Sequence, residues 1–349
     1  MPDKQFAKKI LIRADGSKMV GFGHLVRCAN LAIELKKIGW EVKFLTFMEE
    51  NDHSPENFFN LRDLSYRTAQ KSAASPEKIH MDEMKRFNCS VTLLDSYSID
   101  DSYRHYLKKG GATIIAVDDV YKHFSHANIV LNHNPSADAN RYDKKNGAIL
   151  AGPQYALINP RFSNIKRKLP PWLTPPNILV TMGGSDATNQ RTRIVRILES
   201  MTEKFNITVV GGFYSTKADT GKKGSGVKHK IEFIGKSDDF PAVVEKSDVA
   251  ITAGGITTME LASAGIPFMV LLTDSFQLDN AQVWEKSGAG VYGGDTSKLS
   301  DEELREVFSR FLALNRKWVT MGLSGREIID GKGAERAAQK IDELLSAKK

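Results

Sequence analysis

The chain has 349 residues, 41% hydrophobic and 26% charged, which is globular composition with room for about two domains of ordinary size. No run approaches the roughly 18–20 apolar residues of a membrane helix, and the polar start at Met1–Lys9 leads into too short an apolar run for a secretory signal. Two cysteines, Cys28 and Cys89, cannot build a disulfide framework, and the formal charge of +7 is spread along the chain without a basic helix or an aromatic–basic nucleic-acid motif. The expectation is a cytoplasmic protein that binds a small molecule and neither nucleic acid nor membrane.

Taken in order, Lys9–Arg13 reads as a strand and Leu25–Ile38 as a helix, with Leu25, Cys28, Leu31, Ala32 and Leu35 on one face and Gly39 ending it. Strands are expected at Val42–Phe47, Val91–Asp95, Thr113–Asp118 and Ile129–Asn132, with helices at Pro76–Phe87 and Asp101–Lys109. The insertion Glu49–Ser75 carries no readable motif. At Asn159–Asn177 prolines 160, 170, 171, 175 and 176 interrupt any regular pattern, which marks a linker. Beyond it the alternation restarts with strands at Ile178–Met182, Ile207–Val210, Lys230–Ile234, Val249–Thr252 and Phe268–Leu272. The helices expected there are Asn189–Met201, Phe240–Lys246, Ile256–Ala264 and Leu278–Ser287. The reading is α/β: two Rossmann-like domains with parallel sheets facing a cleft, at 1–158 and 178–330, joined by 159–177 and followed by a C-terminal helix at 331–349. Ligands of such sheets bind beyond the carboxyl ends of the strands.

Three strand-to-helix turns carry glycines at those ends. The first runs Arg13–Ala14–Asp15–Gly16–Ser17 and then Gly21–Phe22–Gly23–His24, placing a histidine at a helix start. The positive end of a helix disfavours an imidazolium, so His24 can serve as a neutral base; it can equally satisfy loop carbonyls. The second is Gly183–Gly184–Ser185–Asp186, a phosphate or sugar cradle or simply a capped turn. The third is Gly254–Gly255–Ile256–Thr257 with Glu260 one turn on, where Glu260 can accept from ribose hydroxyls or merely favour the helix dipole. Asp95, Asp118 and Asp119 leave strands at the same edge, as site acids or as helix caps. His123, His126 and His133 have a metal-like look that no cysteine or further acid spacing reinforces, so no metal site is assigned.

The runs RADGSKMVGFGHLVRC, LLDSYSID, VDDV, MGGSDATN, TAGGITTMELASAGIP and IIDGKGAERA, in this order over most of the chain, resemble the PseG/SpsG family, relatives of the MurG-type glycosyltransferases with the GT-B fold. The resemblance implies a hydrolase of pseudaminic acid-type biosynthesis. It would release UDP from UDP-2,4-diacetamido-2,4,6-trideoxy-β-L-altropyranose by attack of water at the anomeric carbon, with inversion and without metal or cofactor. It implies His24 as the catalytic group and Tyr97 near the sugar and water, with Asp15 beside them as a candidate. Arg13, Gly21 and Gly23 would line the substrate. Gly183, Gly184, Ser185, Gly254, Gly255, Thr257 and Glu260 would hold diphosphate and ribose, with uracil near the loop after Ile234. One register departs: where the family has Asn-Gln this chain has Phe276–Gln277, and Gln277 with Asn280–Ala281 follows the Q-x-x-N-A pattern of MurG-like transferases. A glycosyltransferase using a UDP-sugar donor and a non-catalytic nucleotide-sugar binding protein are the alternatives.

Overall fold

A computed structural model describes residues 8–17, 21–72, 75–121, 126–143, 147–166, 175–184, 186, 189–212, 229–235, 237 and 239–347. Within these, the described parts of Met1–Ser17, His24–Leu157 and Lys332–Lys349 form one compact unit, and those of Lys18–Gly23 and Ile158–Gly331 a second.

The first unit is built in the order β1 (Lys9–Ala14), α1 (Gly23–Lys37), β2 (Glu41–Met48), α2 (Ser54–Asn60), β3 (Tyr66–Gln70), α3 (Pro76–Phe87), β4 (Val91–Asp95), α4 (Asp101–Lys109), β5 (Thr113–Val117), β6 (Ile129–Asn132) and β7 (Ala148–Ala151). The sheet is parallel in the order β3-β2-β1-β4-β5-β6-β7. Winding reverses between β1 and β4, where Ala14 lies opposite Asp95, and that reversal is where such sheets open a crevice. Continuous apolar runs make the strands of β1, β4 and β5 buried on both faces, as covered parallel sheets require. Asp100 caps α4 by accepting from the Tyr103 N–H at 2.8 Å, and left-handed Asn88 ends α3.

The second unit follows with β8 (Asn177–Thr181), α5 (Gln190–Glu199), β9 (Asn206–Val210), β10 (Lys230–Ile234), α6 (Phe240–Glu245), β11 (Val249–Ala253), α7 (Thr257–Ala264), β12 (Phe268–Leu272), α8 (Leu278–Lys286), β13 (Gly290–Asp295), α9 (Asp301–Leu312) and α10 (Trp318–Ile328). Its sheet runs β10-β9-β8-β11-β12-β13, again parallel, with the reversal between β8 and β11. The last helix, α11 (Gly333–Ser346), returns to the first unit. Asp342 there accepts from Trp40 Nε1 at 2.9 Å and Lys8 Nζ at 3.0 Å, and Gly333 lies so close to the Ala156 backbone that a Cβ would stand 2.3 Å from its nitrogen.

The unread insertion at 49–75 contains α2 and the edge strand β3, whose half-exposed polar residues give no apolar alternation. Strand β13 is hidden in sequence by its glycines; Gly293 leaves room for Leu271 and Met269, whose side chains a Cβ would meet at 2.8 Å. The proline-rich stretch is not free of structure where it is described. Pro160–Phe162 form a 3₁₀ turn, Phe162 is buried, and Arg326 donates to the Ile165 carbonyl at 2.5 Å and the Ala264 carbonyl at 2.8 Å. Prolines that cannot continue a helix can still open such a turn. No helix of the described residues is long and apolar enough to cross a membrane.

Candidate active site

Helix spacing puts His24 and Arg27 three residues apart on one face of α1, so both reach the carboxyl edge of the first sheet. There Asp95 ends β4 and Asp119 follows β5, on neighbouring strands. Asp95 is 1% exposed and receives four donors. Arg27 grips it with Nε at 2.7 Å and Nη2 at 2.5 Å, His24 Nδ1 lies 2.5 Å from Oδ1, and the Cys28 thiol donates at 3.2 Å. Burial alone would push the Asp95 carboxyl up, but Arg27 and His24 outweigh it and hold the group well below the usual carboxylate range. An ionised carboxylate only accepts, so Nδ1–H of His24 is the donor, and in the neutral ring Nε2 keeps the lone pair. This is the geometry of a base oriented by a carboxylate.

Arg27 also donates to Asp119 Oδ2 at 3.1 Å, and Tyr97 donates its hydroxyl to the same oxygen at 2.9 Å. Burial pushes Asp119 up, but the Arg27 charge outweighs it and holds the carboxyl low, whereas burial and Asp119 push the Tyr97 phenol upward. Tyr97 therefore stays a donor. Its ring stands edge-on to His24 with centroids 4.7 Å apart and is 41% exposed, while His24 is 5% exposed. His133, buried and pushed down to about 3 by burial and then by Arg27, lies neutral 3.3 Å from Nη1. His24, Arg27, Asp95, Tyr97, Asp119 and Val120 are among the residues lining a cavity of about 20 Å³.

Asp15 and Arg13 stand in a separate, adjoining network. Asp15 accepts from Ser96 Oγ at 2.6 Å, Arg13 Nη2 at 3.1 Å and the Phe47 N–H at 2.9 Å. Arg13 donates further to Tyr103 at 2.6 Å and Ser98 at 3.2 Å and lies over the Phe47 ring at 4.0 Å. Both residues thus tie down the Ser96–Ser98 loop that carries Tyr97. Sequence reasoning took in Asp95 and Asp119 only as acids of open role and left out Arg27; the missed signal is the His24/Arg27 spacing set against acids on strands neighbouring β1.

In the second unit Gly183–Gly184 follow β8 and Gly254–Gly255 follow β11, side by side across the reversal. A Cβ on Gly183 or Gly255 would meet nothing within 4 Å. Gly184 abuts the backbone of Phe22 and Gly21, and a Cβ on Gly212 would strike the Gly184 carbonyl at 2.0 Å; only glycines let these segments approach so closely. Nothing within 4 Å stands where a Cβ on Gly23 would lie. Ser185 is outside the described residues. Asp186 caps α5 from outside, accepting from the Gln190 N–H at 2.8 Å and the Arg191 N–H at 3.1 Å.

Gln277 binds the loop ends together: its Oε1 accepts from the Gly254 N–H at 3.3 Å and the Thr273 N–H at 3.1 Å. Asn280, one turn further along, is also buried. The Ile234 carbonyl accepts from the Gly211 N–H at 2.8 Å. Glu260 lies in the first turn of α7, 6% exposed, and burial raises its carboxyl to about 7 although a hydrogen bond with Thr257 pulls it back. A carboxyl so placed at a strand-end turn marks a candidate ligand site. Among the described residues no group of three or more His, Cys, Asp or Glu side chains is set to hold a metal ion; His123 lies outside them.

Residues 177–321 match the Glycosyltransferase family 28 C-terminal domain. The chain is 25% identical over 338 residues to the spore coat polysaccharide biosynthesis protein SpsG of Bacillus subtilis, covering 95% of this chain and 97% of that protein. It is 27% identical over 195 residues to the UDP-2,4-diacetamido-2,4,6-trideoxy-beta-L-altropyranose hydrolase of Campylobacter jejuni, 53% of this chain and 64% of that one. The crystal structure of Acinetobacter baumannii MurG matches with a TM-score of 0.67 over 96% of this chain and 99% of its own, at 16% identity. The fold is GT-B: two parallel-sheet Rossmann-like domains, the second of which carries the family 28 match.

Proposed function

We propose that the chain is a nucleotide-sugar hydrolase that releases UDP from UDP-2,4-diacetamido-2,4,6-trideoxy-β-L-altropyranose by attack of water at C1 with inversion. The observation that carries this reading is the His24–Asp95 pair locked by Arg27 beside Tyr97, a preorganised base on an edge of the sheet where ligands bind. Nε2 of His24 takes a proton as the water oxygen bonds to C1, and the C1–O bond breaks with its electron pair leaving on the β-phosphate. General base catalysis of this kind contributes on the order of 10²–10⁴. The glycine turns after β8 and β11 offer backbone donors and helix starts to the diphosphate, and the Glu260 carboxylate offers two acceptors to ribose hydroxyls.

The test is proton NMR of the protein with a panel of UDP-linked diacetamido sugars, chelator present and no acceptor added. UDP release with an inverted anomeric product is the expected outcome; no release from any sugar of the panel refutes it. A glycosyltransferase is the second reading, favoured by the family 28 match and by the Gln277 and Asn280 pattern. It requires that UDP appear only when an acceptor hydroxyl other than water is supplied.

A further inference from the structure

The hydrolase reading places Tyr97 beside the base, and the inference here rests on that reading. Tyr97 is 41% exposed, with half-buried Ser96 before it and exposed Ser98 after it. A ring with that much freedom keeps one position against His24 only if the turn that carries it is fixed.

What fixes this turn is a line of hydrogen bonds that starts in the core. The Thr92 hydroxyl donates to the Leu11 carbonyl at 2.8 Å, so its oxygen accepts from His80 Nε2–H, also at 2.8 Å. His80 is fully buried and neutral, so Nδ1 keeps the lone pair and accepts the Tyr103 O–H at 2.9 Å. The Tyr103 oxygen in turn accepts from Arg13 Nη1 at 2.6 Å, and Arg13 Nη2 donates to Ser98 Oγ at 3.2 Å and to Asp15 at 3.1 Å. Asp15 also takes the Ser96 hydroxyl at 2.6 Å. The direction of each bond is thereby determined from the Leu11 carbonyl to the two serines that flank Tyr97.

Tyr103 is where this line turns from the core to the site. It is 5% exposed on α4, its ring lies 4.9 Å from the Arg13 guanidinium, and the Phe47 ring lies 4.0 Å from the same group. Its N–H is held by Asp100 at the start of α4, where the loop that carries Tyr97 ends. Burial pushes its phenol upward, so it stays a donor to His80.

We propose that Tyr103 is a positioning residue for the reaction: its hydroxyl, anchored on His80, aims Arg13 at the Ser96–Ser98 turn and so keeps Tyr97 edge-on to His24. It acts only through Arg13 and Tyr97.

The experiment measures UDP release by the full chain from UDP-2,4-diacetamido-2,4,6-trideoxy-β-L-altropyranose in a double-mutant cycle of Tyr103→Phe with Tyr97→Leu. Tyr103→Phe keeps the ring and removes the hydroxyl, and should lower kcat about tenfold, within the roughly hundredfold that a misplacement of about 1 Å can cost. Tyr97→Leu lowers kcat by itself, and on that background Tyr103→Phe should change kcat by less than about twofold, because residues acting through one group are not additive. Ser98→Ala cuts the same line at an exposed position and carries the same cycle should Tyr103→Phe fail to fold. The second readout is NMR of the His24 ring C–H signals without substrate, identified by their loss in His24→Ala. The Tyr97 ring stands 4.7 Å from that ring and shifts those signals, so Tyr103→Phe should move them toward their positions in Tyr97→Leu. An unchanged kcat in Tyr103→Phe or in Tyr97→Leu, equal losses on both backgrounds, or unmoved His24 signals each overturn the proposal and leave the hydrolase reading intact. Absence of UDP release by the natural chain sinks the hydrolase reading instead, and the His24 signals then decide alone whether Tyr103 holds Tyr97 in place.

Discussion

Glu260 gives the sharpest quantitative test. Its carboxyl is raised from 4.5 to about 7, first by burial, with Thr257 pulling partly against it. The gap corresponds to about 3 kcal/mol at 1.36 kcal/mol per pKa unit, and no discount for solvent applies to a side chain only 6% exposed. Because the folded value lies above the unfolded one, Glu260 favours folding fully below about pH 4.5, and that contribution is lost as pH rises through about 7. Glu260→Gln removes the titration. The difference in unfolding free energy between the variant and the natural chain should therefore shift in the variant's favour by about 3 kcal/mol from pH 4 to pH 8, read by urea denaturation. Carboxyl ¹³C NMR, with the variant identifying the peak, reports the midpoint directly. A midpoint near 4.5, or a stability difference flat across this range, refutes the reasoning. Titration calorimetry adds the functional side: UDP affinity of the natural chain should rise with pH through about 7, and Glu260→Ala should lower it by about 1–3 kcal/mol.

Three further outcomes follow from the first unit. His24→Ala should lower kcat for UDP release by at least about a hundredfold while UDP binding, measured by calorimetry, stays nearly intact; an unchanged rate removes His24 from the chemistry. His80 and His133 are both pushed to about 3, in each case first by burial, so the folded state needs them neutral. Folded values below the unfolded 6.5 mean that stability is whole above pH 6.5 and falls below it by about 1.4 kcal/mol per pH unit for each histidine, down to about pH 3. His80→Gln should take one proton's worth from that acid slope in urea titrations; an identical slope contradicts the assignment. Asp95→Asn strips Arg27 of its buried partner and should cost about 3–5 kcal/mol in denaturant unfolding, whereas a loss under about 0.5 kcal/mol means the pair is solvated.

The alternation of apolar strands with helices is local information, and β4, α3, α4, β6, β10 and β12 fall on the residues that pattern marks. The strands hidden from it, β3 and β13, are polar on an edge or full of glycine, so their place is fixed by neighbours in the sheet and not by their own residues. The same division holds for the site. His24 and the glycine pairs announce themselves by type and by position at a strand end. Asp95 and Asp119 do not, because a strand-end acid that caps a helix and one that orients a base look alike until the strand order puts β4 and β5 next to β1. Asp15, two residues beyond Arg13, illustrates the converse: closeness in sequence to the histidine motif leads it to the Ser96 and Ser98 hydroxyls, and its part is to hold the Tyr97 loop.

Each sheet places a buried carboxylate near the point where its strand order reverses, and the two are treated oppositely. Asp95 is compensated in full by Arg27, His24 and Cys28, so its geometry is set before any substrate arrives, which is what a base needs if its reorganisation is not to add to the barrier. Glu260 has burial and, among the described residues, no cation that offsets it, and so carries a cost at neutral pH. An unpaid cost of that kind is removed only when something donates to the carboxylate, and hydroxyl donors brought by a nucleotide would do so reversibly, with binding strengthened by the relief. The two acids should then respond in opposite senses to neutralisation. Asp95→Asn weakens the fold at every pH where Arg27 is charged, whereas Glu260→Gln gains stability relative to the natural chain as pH rises toward and through about 7 and weakens the complex with UDP.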